Sequence, residues 1–244
     1  MAVHDTWNEK IFEALQQPRR LRDETAGNED IMKSILIIGL GRFGRHMAQK
    51  FIENGHEVMA IDDNEERADA AVGMIRQILI GDATDERFME SLGIRNFDLA
   101  VIAIGENFQS VLEITVLLKD LGCKYIIARA TRDVHKKLLL RNGADYVVYA
   151  EREIAERLAI KFGADNIFEY IELTPEIGIY EIAIPEKWIG RSILDLSIRT
   201  RYHISVLATK KGSQIYPLPH PNHVFDADES LMVMGTLEDV NGVE

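Results

Sequence analysis

The chain has little cysteine, no long apolar run and no excess of positive charge. Cys123 is the one cysteine in 244 residues, so no disulfide closes within the chain and no thiolate metal cluster forms. Apolar runs such as "ILIIG" (35–39) and "AVIAIG" (100–105) fall far short of the roughly 18 residues that suggest a membrane span. The opening "MAVHDTWNEK" has no basic stretch followed by an apolar one, so no secretory leader is expected. With 28 basic and 40 acidic residues the net charge is -12, so no nucleic acid is expected as a partner, nor direct docking on anionic lipid. A cytoplasmic, reducing setting follows as the expectation. An acidic chain can still hold phosphate, because a helix N-terminus offers N–H donors and a positive dipole end.

Proline is also sparse until residue 175; five of the six prolines follow from there. Before that point the pattern alternates. Short apolar runs at 34–39, 57–62, 76–81, 99–105, 125–130 and 146–150 read as buried strands, and helical segments lie near 43–54, 65–72, 84–92, 107–121 and 133–142. Strands alternating with helices indicate βαβ units and a parallel sheet. The expected class is α/β, a Rossmann-type doubly wound parallel sheet over 33–150 with a second, small α+β domain over 168–240. A linking helix is expected over 151–167, ending near Gly163. Beyond it the runs alternate apolar with polar and read as strands, with "KKGS" (210–213) as a hairpin turn and one helix in "GRSILDLSIR" (190–199) capped by Ser192. Residues 1–32 read as an extension whose Trp7, Ile11 and Leu15 recur every four residues. That stripe fits a helix packing back on its own domain or docking a partner.

The first strand runs into Gly39-Leu40-Gly41-Arg42-Phe43-Gly44, a G-x-G-x-x-G loop between a strand and a helix. That context makes it a dinucleotide- or nucleotide-binding loop. Gly39 permits the tight turn, Gly41 lets backbone approach a phosphate, and Gly44 allows close helix–sheet packing. Asp62 ends the second strand, where a carboxylate accepts both ribose hydroxyls and repels a 2′-phosphate; Asp63 stands beside it, read mainly as an exposed neighbour. NAD, ATP and ADP are all compatible with it. Arg42 puts a guanidinium on the phosphate turn. Asp82, Ala83 and Thr84 follow the third strand and Ala103, Ile104 and Gly105 the fourth. Asp82 and Thr84 either meet an adenine edge, or Thr84 caps the next helix. Arg129, at the end of the fifth strand, either reaches the phosphates or forms a strand-end salt bridge.

The acid–base half of a dehydrogenase is not visible. None of the seven histidines sits in a catalytic constellation, and no S-x-x-x-Y-x-x-x-K, G-x-S-x-G or H-E-x-x-H pattern occurs. An NAD-dependent oxidoreductase is the alternative reading, and a redox-sensing NAD-binding repressor a third.

"ILIIGLGRFG", "EVMAID", "GDATD", "LGIRNFDLAVIAIG" and "LLLRNGADYVVYAE" together resemble the nucleotide-binding half of an RCK domain (regulator of potassium conductance). "IGRSILDLSIRTRYHISVLATKKG" followed by "SLMVMG" resembles its C-terminal half. The whole resembles the cytosolic gating subunit of Ktr/Trk-type bacterial potassium uptake systems. The resemblance implies a non-enzymatic role, ATP/ADP or NAD/NADH on each Rossmann half, homodimers assembling into a ring (an octamer), and a membrane potassium-translocating subunit as partner. It assigns Gly39, Gly41, Arg42, Phe43 and Gly44 to the phosphate loop, Asp62 to ribose, Asp82, Ala83 and Thr84 to the adenine side, and Arg129 to the phosphates. Several members bind cyclic di-AMP in the C-terminal half, where Ile193, Ile198, Arg199 and Pro219 fall at or near matching positions. Leu140 stands where some members carry an acidic cation ligand, so no metal is expected there.

Overall fold

The computed structural model describes residues 32–105 and 107–243; the stripe of Trp7, Ile11 and Leu15 lies outside them. The described residues fall into two compact units, dividing between Arg152 and Glu153.

The first unit is a six-stranded sheet of β1 (Ser34–Ile38), β2 (Glu57–Asp62), β3 (Gln77–Ile80), β4 (Leu99–Ile102), β5 (Ile126–Arg129) and β6 (Tyr146–Val148). All neighbours run parallel, in the order β3-β2-β1-β4-β5-β6. Its helices are α1 (Arg42–Glu53), α2 (Glu65–Asp69), α3 (Glu86–Ser91), α4 (Phe108–Asp120) and α5 (Asp133–Arg141). The unbroken apolar run of β1 is explained by burial on both faces. Leu36 and Ile38 join one core with Met89, Ile114 and Leu118; Ile35 and Ile37 join the other with Leu40, Ala48 and Ala60. Side chains of Asn64, Asp85 and Asn107 accept from the backbone N–H groups of Arg67, Phe88 and Ser110 and so start α2, α3 and α4.

The order reverses between β1 and β4, the place where open α/β sheets form a crevice. Register brings three strand ends level: Ile38 pairs with Ile61 on one side and Ile102 on the other. The residues that follow are therefore neighbours. Gly39 N–H donates to Ile61 O at 2.8 Å, and Ala103 N–H to Ile38 O at 2.7 Å.

Helix α6 (Ala150–Gly163) begins in the first unit and continues into the second. The second unit is an antiparallel sheet of β7 (Ile167–Glu172), β8 (Gly178–Ala183), β9 (Ser205–Lys211), β10 (Gln214–Pro217) and β11 (Glu229–Gly235), in the order β10-β9-β11-β8-β7. Gly212 (φ +60) and Ser213 turn β9 into β10. Trp188, fully buried, anchors the core, with ring centroids 5.0 Å from Tyr202 and 6.0 Å from Phe225. The single helix expected over 190–199 is two: α7 (Ile193–Leu196) and α8 (Ile198–Tyr202). A capping box of Ser192 and Asp195 starts α7, and Ser197, left-handed at φ 48, ends it after one turn. A third short helix, α9 (Leu237–Asn241), follows the Thr236 cap; at five residues it is too brief for periodicity to show.

On β7, Glu169 ties back to α6. Its carboxylate accepts from Arg157 Nη2 at 2.7 Å and Lys161 Nζ at 2.8 Å. The Lys161 ammonium, then the Arg157 guanidinium, hold this carboxyl down at about 2.

Candidate nucleotide site

The glycine-rich loop joins β1 to α1, and each glycine has a different reason to be there. Gly39 sits at φ +98, which a side chain rarely adopts. A Cβ on Gly44 would stand 1.9 Å from Gly39 O, so α1 lies against the strand end because this position is bare. A Cβ on Gly41 would meet nothing within 4 Å. Gly41 is the N-cap of α1 and carries no side-chain cap, and the first turn holds no acidic residue. The helix thus presents its N–H groups and positive dipole end to open space beside a backbone without a side chain.

Asp62 is buried at the end of β2 and closes this space from one side. Its Oδ2 accepts the Leu40 N–H at 2.5 Å and its Oδ1 the Asn64 N–H at 2.9 Å, with Arg67 Nη1 3.7 Å away. The carboxylate therefore fixes the loop to β2. Leu40 itself points into the core. Asp63 is exposed.

Beyond β3, the exposed Asp82 accepts from both the N–H (2.8 Å) and the hydroxyl (2.7 Å) of Thr84. The Thr84 hydroxyl, then its N–H, hold the Asp82 carboxyl below the usual range. The cap of α3 is Asp85, not Thr84, because the Thr84 hydroxyl is already committed to Asp82. Ala83 is buried in the core. Beyond β4, Ala103 is buried, and the Ile104 side chain and backbone lie 3.0–3.1 Å from where a Gly39 Cβ would be.

Arg129 is brought to the loop from β5. Its guanidinium carbon lies 5.5 Å from the Phe43 ring centroid, a cation–π distance. It also pairs with Glu151, in the first turn of α6. Gly105 makes room for it: a Cβ there would lie 2.8 Å from Arg129 Nη1. The strand-end ion pair is thus present, and the same guanidinium lies beside the Phe43 ring of the glycine loop. Arg42 is exposed on the first turn of α1, without an ion pair among the described residues.

Two features were not foreseen. One is Glu151 as the partner of Arg129. The other is His135, stacked on Phe108 with centroids 3.8 Å apart and planes at 11°. Burial, then the Arg132 charge, pull the His135 imidazole below its ordinary value. Its polar neighbour is the Thr131 hydroxyl at 3.3 Å. The histidine–carboxylate pair, His223 with Glu229 at 2.9 Å, lies in the second unit.

In that unit Ile193 N–H donates to His223 O and Leu194 N–H to Pro221 O, laying the proline loop along the start of α7. Ile193 and Pro219 are half-buried and Arg199 is exposed. Ile198 is spent in the core, 2% exposed. A cavity of about 410 Å³ lies elsewhere in the unit, among Asn166, Ile182, Pro185, Lys187 and Val243.

Comparison with known proteins agrees with this layout. Residues 35–150 match the TrkA-N domain and 178–244 the TrkA-C domain. Ktr system potassium uptake protein C of Bacillus subtilis is 37% identical over 212 residues, 87% of this chain and 96% of that protein. The chain belongs to the Ktr potassium uptake protein family. Another family member, Ktr system potassium uptake protein A of the same organism, is 35% identical over the same 87% of the chain and 96% of its own. Among solved structures, the GsuK channel superposes at a TM-score of 0.63 with 22% identity, over 96% of this chain and 43% of that one. The GsuK channel bound to NAD gives 0.60 at 20% identity, over 99% and 44%. The chain spans less than half the length of these channel chains, and the likeness is one of fold. No described helix is long and apolar enough to cross a membrane.

Proposed function

We propose that this chain is the nucleotide-binding gating subunit of a potassium uptake system, acting on a membrane potassium-translocating partner from its cytoplasmic face. The observation that carries it is the bare, uncapped start of α1, with Gly41 facing open space and Asp62 behind the loop. Those residues fit a nucleotide. Gly41 to Gly44 offer N–H donors to phosphate, Asp62 suits a ribose with free hydroxyls, and Asp82 keeps one carboxylate oxygen for an adenine amino group. ATP/ADP and NAD/NADH both satisfy this set, while a 2′-phosphate meets the Asp62 charge. The Ktr relatives support the role, and the GsuK channel bound to NAD supports the ligand class.

The role is binding, not catalysis. His135 has an aromatic ring and a hydroxyl as neighbours. Homodimers assembling into a ring fit the family, and the Ile193, Arg199 and Pro219 region of the second unit is our candidate for cyclic di-AMP.

Gating by a ligand requires different affinities for two arrangements. ATP and ADP share adenine and ribose, so their difference lies at the terminal phosphate. Arg42 is the charged side chain on that turn still without an ion-pair partner among the described residues. Coupling of about 1–3 kcal/mol is typical of such switches. Thermal-shift titration with ATP, ADP, NADH and cyclic di-AMP tests the reading, since a ligand of the native state raises stability by mass action. No shift with any of them refutes it. In calorimetry, Arg42→Ala narrows the ATP/ADP affinity ratio; an unchanged ratio removes Arg42 from the role.

A further inference from the structure

Arg129 is incompletely satisfied where it stands. A guanidinium has five N–H donors in a rigid fork. Here Nη2 is held by Glu151, Cζ lies over the Phe43 ring, and Nη1 lies by Gly105. Its Nε is buried with no hydrogen-bond acceptor among the described residues. The side chain is 22% exposed, whereas that of Glu151 is 58% exposed. The next residue, Arg152, pairs with Asp133 in the first turn of α5. The first turn of α6 is therefore held by two ion pairs, one to β5 and one to α5, and the first, Glu151–Arg129, lies beside the phosphate turn.

We infer that Glu151 is a positioning residue of the nucleotide site, an internal carboxylate that holds Arg129 beside the loop and is displaced from it by a bound phosphate. This rests on the nucleotide reading above. The physical basis is competition for one cation. A phosphate oxygen carries charge comparable to a carboxylate and takes guanidinium in a bidentate fork. It approaches from the loop side, where Arg129 is half-buried and an ion pair is less screened than at the exposed Glu151. Glu151 is charged when this happens, since a backbone hydrogen bond first and Arg129 next hold its carboxyl below the ordinary range. Once released, its charge still faces the N-terminal end of α6 and is tolerated there. What changes is that the first turn of α6 loses its tie to β5 while its Arg152–Asp133 pair to α5 remains. Occupancy of the phosphate turn is thus converted into looser attachment of the helix that continues into the second unit. Adenosine, with no phosphate, leaves Arg129 on Glu151.

The test is calorimetry on the full chain with ATP, ADP and adenosine, using Glu151→Gln, Arg129→Gln and the double variant, with hydrogen exchange of segment 150–157 as a second readout. Glu151→Gln removes the competitor and tightens ATP and ADP by about two- to five-fold, the range of an ion pair with an exposed partner. Adenosine affinity stays unchanged. In the Arg129→Gln background the second substitution has no effect. ATP speeds exchange in 150–157 of the wild type, and Glu151→Gln shows the faster exchange without ligand. Glu151→Gln binding ATP no tighter than wild type overturns the inference, as does equal tightening of adenosine. If the wild type binds ATP, ADP and NADH not at all, the nucleotide reading falls and takes the inference with it. If the wild type binds and Glu151→Gln matches it, the inference alone falls.

Discussion

Gly41 and Gly44 lie three residues apart in one loop, and their substitution by alanine separates fold from binding. At Gly44 two effects compete. Replacing a helical glycine by alanine gains up to about 1 kcal/mol. The new Cβ, however, would stand 1.9 Å from Gly39 O and 3.1 Å from the Ala103 Cβ. Relief requires α1 to back off by roughly 1 Å, and overpacking of that order costs about 1–3 kcal/mol or more. Gly44→Ala therefore lowers stability. For a unit of this size 1 kcal/mol is roughly 4 °C in Tm. At Gly41 the backbone (φ -62, ψ -177) suits alanine and the Cβ meets nothing within 4 Å. Alanine is a poorer N-cap by about 0.5–1 kcal/mol, and the stiffer unfolded chain returns about 0.4–1 kcal/mol. Gly41→Ala thus melts within about 2 °C of wild type. Yet its methyl fills the space where phosphate meets the N–H groups, and losing one charge-assisted hydrogen bond, about 1.5–3 kcal/mol, weakens binding at least about tenfold. Differential scanning calorimetry and ATP or NADH titration of both variants decide it. If Gly41→Ala keeps its Tm and binds at wild-type affinity, no phosphate lies against this loop.

Asp62→Asn turns an amide NH₂ toward a backbone N–H donor. It costs about 1–3 kcal/mol by urea midpoint at constant m, and weakens every nucleotide alike; loss of stability without loss of affinity would restrict Asp62 to tethering the loop. The Glu169 carboxyl, held at about 2 against an ordinary 4.5, stabilises the fold fully above about pH 4.5. That contribution fades as pH falls from 4.5 toward 2, so Tm of the wild type drops more steeply over that window than Tm of Glu169→Gln. Parallel curves would show that Arg157 and Lys161 give Glu169 nothing.

Much of the first unit was legible because local patterns and the fold agree. The β1 run is apolar at every position because both its faces are covered, and the strand–glycine–helix order at 34–44 admits few alternatives. Asp62 could be placed from spacing alone, since a βα turn and a following strand have nearly fixed lengths. Glu151 could not. It lies 22 residues beyond Arg129, and only the parallel register of β5 with β6 brings the two together; along the chain it reads simply as an acidic residue at a helix start. The Arg129–Phe43 contact spans a longer gap still. The break at Ser197 was hidden because Ile193, Leu196 and Ile198 supply apolar residues at spacings that one helix would also use. The cap of α3 stayed open for a related reason: a threonine and an aspartate adjoin before the helix, and which one caps depends on where Asp82 points.

The central position of β1 has a consequence for how the site can fail. Strands on both sides bond its backbone, and Ile35, Leu36 and Ile37 are wholly shielded from water. Segments of that kind exchange their amide hydrogens only when the whole cooperative unit opens. The floor of the loop is therefore as durable as the unit itself. Heating or denaturant should abolish fold and binding in one transition, with no frayed intermediate in which the sheet persists and the phosphate turn has melted.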